Sequence, residues 1–304
     1  MFEYPALFAV AAVVREGSFE RAAHVLNITP SAVSQRIRLL EERIGAVLIV
    51  RGQPCTPTEE GRKICRHVER VAMLEQELRA VMPSLGGEEA LESRITLPIA
   101  TNADSLATWF LDAAMGAAKR QGFLLDLSVE DQDHTATGLR RGEVLAAVTT
   151  LEKPIPGCDS TPLGSLRYRA TASPEFLERY FADGVNARTL AQAPGIVFGK
   201  KDTLQYQWVR RAVGHDVAFP THWLPSTHGY VEVSLGGMGW GMNPALLVGS
   251  LLEKGALVEL IPGLCVDVPL FWQARRLSSA LLDELSGAVV KAARASLLWT
   301  GAGR

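Results

Sequence analysis

Between Ile28 and Gly45 the apolar positions Val33, Ile37, Leu40 and Ile44 recur at helical spacing, so one face of this segment is expected to be buried. Pro30 stands where a helix begins, and Thr29 before it can accept a bond from a free backbone N–H. The opposite face carries Ser31, Gln35 and Arg38, with Ser34 on its flank. That face is polar and its leading residues are short, whereas a merely solvated helix more usually shows Glu and Lys. Upstream, Leu7, Val10, Ala11 and Val14 form an apolar helical stripe that ends at Gly17. Ser18 then caps a second helix whose Ala22, Ala23 and Leu26 face inward, the alanines letting two helices approach closely. Asn27 and Ile28 make a short turn into the Thr29 cap. Two helices so joined, the second presenting polar groups, predict a helix-turn-helix. Residues 46–58 read as two short extended pieces around Gly52–Pro54, a β-wing with Arg51 at its tip. A plain helical hairpin is the simpler account of the helices; the caps, the short turn and the wing together favour the DNA-reading one.

The pattern then lengthens. Ile64, His67, Val71, Leu74, Leu78, Val81 and Leu85 alternate three and four apart, a heptad seam on one helix capped by Thr58 and running to about Leu85. Such a seam predicts pairing with a second chain, and His67 within it reads as packed. Pro83, Gly86 and Gly87 break the helix and mark a linker. From Ile95 short apolar strands alternate with helices, which predicts α/β layers with largely parallel sheets. The last strand, around Val268–Ala274, and the helix from Ser278 to Leu298 are expected to return to the first of two lobes. Ligands in such folds sit in the cleft at the strand C-terminal ends.

Composition narrows the classes. At 304 residues and 47% hydrophobic the chain has cores for more than one domain. Its net charge of −2 requires any nucleic-acid contact to come from a local patch. No apolar run reaches the ~18 residues of a membrane span, and the acidic N-terminus is a poor signal peptide. Cys55, Cys65, Cys158 and Cys265 have no metal-type spacing and suit reduced thiols in a cytoplasm. The six histidines (His24, His67, His134, His215, His222 and His228) are scattered, and His134 beside Asp131 and Asp133 reads as a solvated helix start. No G-x-S-x-G, H-E-x-x-H or Walker motif is present, and the glycine-rich run 236–244 reads as a close strand approach. Neither an enzyme nor a metal or cofactor is expected, and the expected location is cytoplasmic, off the membrane.

The stretch GSFERAAHVLNITPSAVSQRIRLLEERIGAVLIVR, with TPTEEG after it, resembles the winged helix-turn-helix of LysR-type transcriptional regulators. One departure is Ile49-Val50-Arg51, where the usual motif reads Phe-x-Arg. The resemblance implies a winged helix-turn-helix over 1–58, a linker dimerisation helix and hinge over 59–93, and a two-lobed α/β effector domain of periplasmic-binding-protein type over 94–304. Operator DNA would be met by Ser18, Thr29, Pro30, Ser31, Ser34, Gln35, Arg36, Arg38, Arg51 and Pro54. A homodimer, or a dimer of dimers, would form through Ile64, Val71, Leu74, Leu78 and Val81, with RNA polymerase a further partner of an activator.

Farther along, TNADSLATWF, VEDQDHTATGLRRGEVLAAVTT, GMGWGMNP and DVPLFWQ resemble the LysG/ArgP-like branch, which governs export of lysine and arginine. That implies L-lysine or L-arginine as effector and an exporter gene as target. Asn102, Ala103 and Ser105 would offer a helix start to a carboxylate. Asp104, Glu130 and Asp131 gather negative charge that favours an ammonium or guanidinium, with Asp131 the residue to test first. Ser226 and Thr227 would close from the second lobe, with Thr149 and Phe198 also lining the cleft. Ordinary helix capping accounts for the acidic residues equally simply. Three alternatives stand beside this reading: a different small-molecule effector, a redox sensor pairing Cys158 with Cys265, and a solute-binding or enzymatic protein with a fused helical domain.

Overall fold

The computed structural model describes residues 3–82, 95–129, 132–277 and 279–299. It divides into two compact units, one taking in Met1–Thr96 and the other most of the remaining chain. In the first unit, α1 (Tyr4–Glu16) ends on Gly17 at φ 68°, in the left-handed region. The Ser18 side chain then accepts the Arg21 N–H and opens α2 (Phe19–Val25). Asn27, at φ 51°, turns the chain into Thr29, whose hydroxyl accepts the Ala32 N–H to start α3 (Pro30–Ile44).

The core under these helices differs from the sequence expectation at both ends. In α1, Ala6, Leu7, Ala9, Val10, Ala12 and Val13 are buried while Ala11 and Val14 are half-buried, because α2, α3 and the next long helix enclose α1 on several sides. In α3, Val33, Ile37 and Leu40 are buried but Ile44 is 45% exposed. It lies at the last turn, where Gly45 at φ 75° leads the chain away from the core.

The wing is a two-rung ladder of β1 (Ile49–Val50) and β2 (Thr56–Pro57). Thr58 closes it, its N–H donating to the Leu48 carbonyl and its hydroxyl to the Val47 carbonyl at 2.7 Å. The same hydroxyl accepts the Gly61 N–H at 3.1 Å and so caps α4 (Glu59–Val81). Gly61 is buried against the wing, and a Cβ there would run into the Leu48 carbonyl oxygen. Ile64 packs against the helix-turn-helix core and Val68 is buried in it, so the first turns of the expected seam belong to this chain's own core. Leu74 and Leu78 are 56% and 50% exposed. The Val81 side chain, and Leu85 altogether, lie outside what is described.

The second unit opens with β3 (Thr96–Thr101), followed by a continuous helical run of α5 (Ala103–Ser105), a π-helical turn at Leu106–Phe110, and α6 (Leu111–Gln121). Then come β4 (Leu124–Val129), α7 (Gln132–Arg141), β5 (Ala146–Thr149) and the long β6 (Cys158–Ala172). After β6 lie α8 (Pro174–Phe181), α9 (Ala187–Leu190), β7 (Gly195–Val197), α10 (Leu204–Val213), β8 (Thr221–Trp223), α11 (Thr227–Leu235) and β9 (Gly241–Pro244). The chain closes with α12 (Ala245–Glu253), β10 (Val258–Glu259), β11 (Cys265–Arg275) and α13 (Ala280–Ser296).

The largely parallel pairing that was expected holds for β3 with β5 and for β7 with β8. The middle of the main sheet is antiparallel instead: β6 pairs β11 from Cys158–Arg275 to Arg169–Cys265. One end of β11 pairs β5 of the first lobe, and one end of β6 pairs β9 and β10 of the second. These two strands carry the chain across and back, which forces opposite directions on them. β6 runs for 15 residues. Gly164, at φ 101° beside the Leu298 carbonyl, kinks it, and the ladder shifts register between Leu270 and Phe271.

The last helix returns to the first lobe as expected: Arg120 of α6 pairs with Glu284 at 2.8 Å, and the Trp272 indole donates to Ser286. The glycine-rich run is a close approach of strands. Gly239 sits against the Pro194 carbonyl, and Gly241 against Ile196 and the Tyr230 ring. No helix among the described residues is long and apolar enough to cross a membrane, and no His, Cys, Asp and Glu cluster among them could hold a metal ion.

Gly61→Ala places a methyl on a backbone oxygen that cannot swing aside, so the wing or the start of α4 must move. The expected cost is about 1–3 kcal/mol, read as a lower denaturation midpoint with an unchanged slope. A midpoint equal to the parent's would mean that the wing yields freely.

Candidate functional site

Two surfaces collect the polar residues singled out in the sequence. On the first unit, α3 presents Ser31, Gln35 and Arg38 to solvent, with Ser34 and Arg36 half-buried beside them. The Ser31 and Thr29 hydroxyls are 2.9 Å apart, and Arg38 lies 3.8 Å from Glu42. Ser18 is engaged in its cap, its hydroxyl donating to Glu20 at 2.8 Å. Arg51 departs from its expected place at the wing tip. It directly follows β1, and its guanidinium lies over the Phe19 ring, 5.2 Å from the centroid, where the π face attracts a cation. Pro54 is exposed within the wing loop, and the Cys55 N–H ties that loop back to the Gly17 carbonyl at 2.9 Å.

The second surface lies between the lobes of the second unit. Asn102 caps the α5 run, its side-chain oxygen accepting the Ser105 N–H at 2.7 Å, and Ala103 is the first helical residue. Asp104 next to it is half-buried and bridges three elements. Thr227, at the start of α11, donates its hydroxyl to one carboxylate oxygen at 2.6 Å, and Tyr168 of β6 donates to the other, also at 2.6 Å. Burial pushes the Asp104 carboxyl up; the two hydroxyls pull it down, and the Asp202 charge adds to the rise. The Tyr168 hydroxyl is pushed well up by burial, then by the Asp104 charge. The Ser105 hydroxyl, fully buried, has no partner in the structure.

One turn along α11 from Thr227, the Tyr230 hydroxyl lies 3.5 Å from Asp202 and 3.3 Å from the Gln205 amide nitrogen. Asp202 also accepts the N–H groups of Phe198 (3.1 Å) and Leu204 (3.0 Å), a local turn that starts α10. Burial, followed by the Asp202 charge, raises Tyr230. Neither Asp104 nor Asp202 pairs with a cation among the described residues.

The structure therefore joins Asp104 to Thr227, sets Ser105 beside them, and brings Phe198 to Asp202 through its backbone. Ser226 is spent on capping α11, accepting the Gly229 N–H at 3.1 Å. Thr149 is 2% exposed and its hydroxyl accepts the Leu151 N–H, so the structure does not bring it to Asp104. Glu130 and Asp131 lie outside the described residues. Sequence reasoning missed Tyr168, Asp202, Gln205 and Tyr230. The one local signal was Asp202 three residues before Gln205 at a helix start; Tyr168 is far from all of them in the chain and only the fold delivers it.

Comparison with known proteins identifies the class. The profile described as bacterial regulatory helix-turn-helix protein, lysR family, matches residues 6–62, and the LysR substrate binding domain matches residues 94–294. The chain belongs to the LysR family of DNA-binding transcriptional regulators. It is 45% identical over 299 residues to the HTH-type transcriptional regulator ArgP of Pseudomonas fluorescens, covering 98% of both chains. The crystal structure of ArgP from Mycobacterium tuberculosis superposes with a TM-score of 0.80 at 41% identity, covering 98% of this chain and 99% of that one. Full-length LysG from Corynebacterium glutamicum with bound effector Arg gives 0.72 at 37% identity, covering 97% and 99%.

The redox alternative requires Cys158 and Cys265 to meet. Cys158 is opposite Arg275 and Cys265 is opposite Arg169, at the two ends of the β6–β11 ladder. They stand ten residues apart along β11, roughly 30 Å at the rise of a strand. A disulfide needs Cα atoms within about 7 Å. Burial also pushes both thiols up, away from the reactive thiolate. Peroxide treatment of the folded protein is expected to leave no Cys158–Cys265 crosslink in a non-reducing peptide map. Such a crosslink would require the central ladder to come apart.

Proposed function

We propose that this regulator senses L-lysine or L-arginine in the cleft between its lobes and switches an amino-acid exporter gene in the cytoplasm. The observation that carries the reading is Asp104. It is a half-buried carboxylate at the junction of both lobes, met by two hydroxyls and, among the described residues, by no cation. Hydroxyls satisfy hydrogen bonds without neutralising charge, and a carboxylate keeps lone pairs for further donors. A cationic ligand completes such a site; a neutral one leaves its charge uncompensated. The free N–H groups at the start of the Asn102–Ser105 turn suit the ligand's carboxylate. The names of the relatives and the arginine bound to LysG support the same ligand class.

On the DNA side, Ser31, Ser34 and Gln35 read base edges in the major groove while Arg38 and Arg51 hold the backbone. The chain acts as a homodimer, with the exposed Leu74 and Leu78 carrying the contact along α4. A pair of α3 helices then meets a two-fold operator.

Calorimetric titration of the parent with lysine and arginine, followed by Asp104→Asn, tests the sensing role. The variant keeps the side chain's size and loses one charge-assisted contact of about 1.5–3 kcal/mol, so affinity should fall roughly ten- to hundred-fold while operator binding survives. Unchanged affinity in the variant, or none in the parent, would remove Asp104 from the site.

Gln35→Ala tests the reading helix. It should cost about 1–3 kcal/mol at one operator position and relax the preference there. An intact preference in a binding-site selection would move base reading to other residues.

A further inference from the structure

We propose that Asp202 is the second cation-reading group of this site and the residue that selects a ligand with a charged side chain. The inference rests on the sensing role argued above and adds to it the part of the ligand that distinguishes a basic amino acid from a neutral one.

Thr227 and Tyr230 stand three apart on α11, so their side chains lie one turn apart on one face. Thr227 holds Asp104 and Tyr230 touches Asp202. One face of α11 therefore reaches both carboxylates, and each is half-buried. They come from opposite lobes, and neither has a cationic partner among the described residues.

Two like charges so placed repel across a partly desolvated space, and the rise of the Asp104 carboxyl includes a contribution from Asp202. Beside Asp202 lies a second, independent observation. Gln205 is 1% exposed; its amide nitrogen donates to the Ile196 carbonyl at 2.8 Å and lies 3.3 Å from the Tyr230 hydroxyl, yet its amide oxygen has no partner. A buried acceptor left bare is costly unless a donor arrives. A guanidinium or ammonium brings several donors at once and can serve both Asp202 and that oxygen.

The assignment of ends follows from connectivity. An amino acid's α-ammonium and α-carboxylate sit on one carbon, so they must be recognised side by side. Asp104 adjoins the helix-start N–H groups that suit the carboxylate, so Asp104 takes the α-ammonium. Asp202, reached from the same face of α11, is left for the distal cation.

The test compares L-arginine with L-citrulline, which replaces the guanidinium by a neutral ureido group of nearly the same shape. Calorimetry on the full-length parent should give citrulline an affinity roughly ten-fold or more below that of arginine. Asp202→Asn should bring arginine down to the citrulline level and leave citrulline unchanged. Loss of packing alone would weaken both ligands together and preserve their ratio. Tyr230→Phe, which leaves the α10 turn intact, should narrow the same ratio and guards against a poorly folded Asp202 variant. A ratio unchanged in both variants, with the parent still binding arginine, overturns the role of Asp202 alone. A parent that binds neither compound overturns the sensing role itself.

Discussion

The sensing unit depends on one ladder. β6 and β11 pair antiparallel from Cys158–Arg275 to Arg169–Cys265, and each lobe is built on one end of that pairing. Backbone hydrogen bonds along such a ladder cannot be traded for water without leaving buried polar groups bare. The lobes are thus tied through a shared strand pair, and the space between them is lined by whatever side chains flank the crossing. Tyr168 is one of these. Its place on β6 delivers a hydroxyl to Asp104 of the first lobe, while Thr227 reaches the same carboxylate from the second. The Arg167–Asp267 pair, cross-strand partners at 2.8 Å, reinforces the ladder near its Arg169–Cys265 end, with Arg167 holding the Asp267 carboxyl below its ordinary range.

A carboxylate that bridges two lobes through hydroxyls is a joint with unspent capacity. It orders Thr227 and Tyr168 in the absence of a cation, and it has lone pairs left for one. On the proposed reading a ligand cation bound there would contact both lobes at once, and such differential contact is what lets a small molecule bias a conformational equilibrium. The chain belongs to a family of DNA-binding regulators, and its helix-turn-helix and its LysR substrate binding domain lie in separate units of one chain.

In the DNA-binding unit the governing constraint is close approach. Ala22 and Ala23 are almost wholly buried between helices, and Gly61 leaves no room for a side chain against the Leu48 carbonyl. Thr58 works on both sides of that contact, closing the wing with its N–H and hydroxyl and capping α4 with its oxygen. The glycine of the TPTEEG stretch is therefore a packing requirement, and the threonine before it serves two elements at once.

Local chemistry made the helix-turn-helix legible in the sequence: Gly17, Ser18, Asn27 and Thr29 each act within a few residues of themselves, and the structure has each at its turn or cap. The alternation of strands and helices after Ile95, the return of the last helix and the tight glycine-rich strand were legible for the same reason. The antiparallel crossing was not, because strand direction in a sheet depends on where the chain comes back from. Ile44 and Ile64 were misplaced because periodicity marks a face without saying what lies opposite it: open solvent for Ile44, this chain's own core for Ile64. The contact of Arg51 with the Phe19 ring was hidden because its partner is distant in the chain. In the cleft the sequence picked out Asp104 and Thr227 from their helix starts, yet their meeting, and the presence of Tyr168, Asp202, Gln205 and Tyr230 around them, is a fact of tertiary structure. Those residues are distant in the chain, and only the fold of two lobes about one shared pair of strands brings their side chains within hydrogen-bond reach.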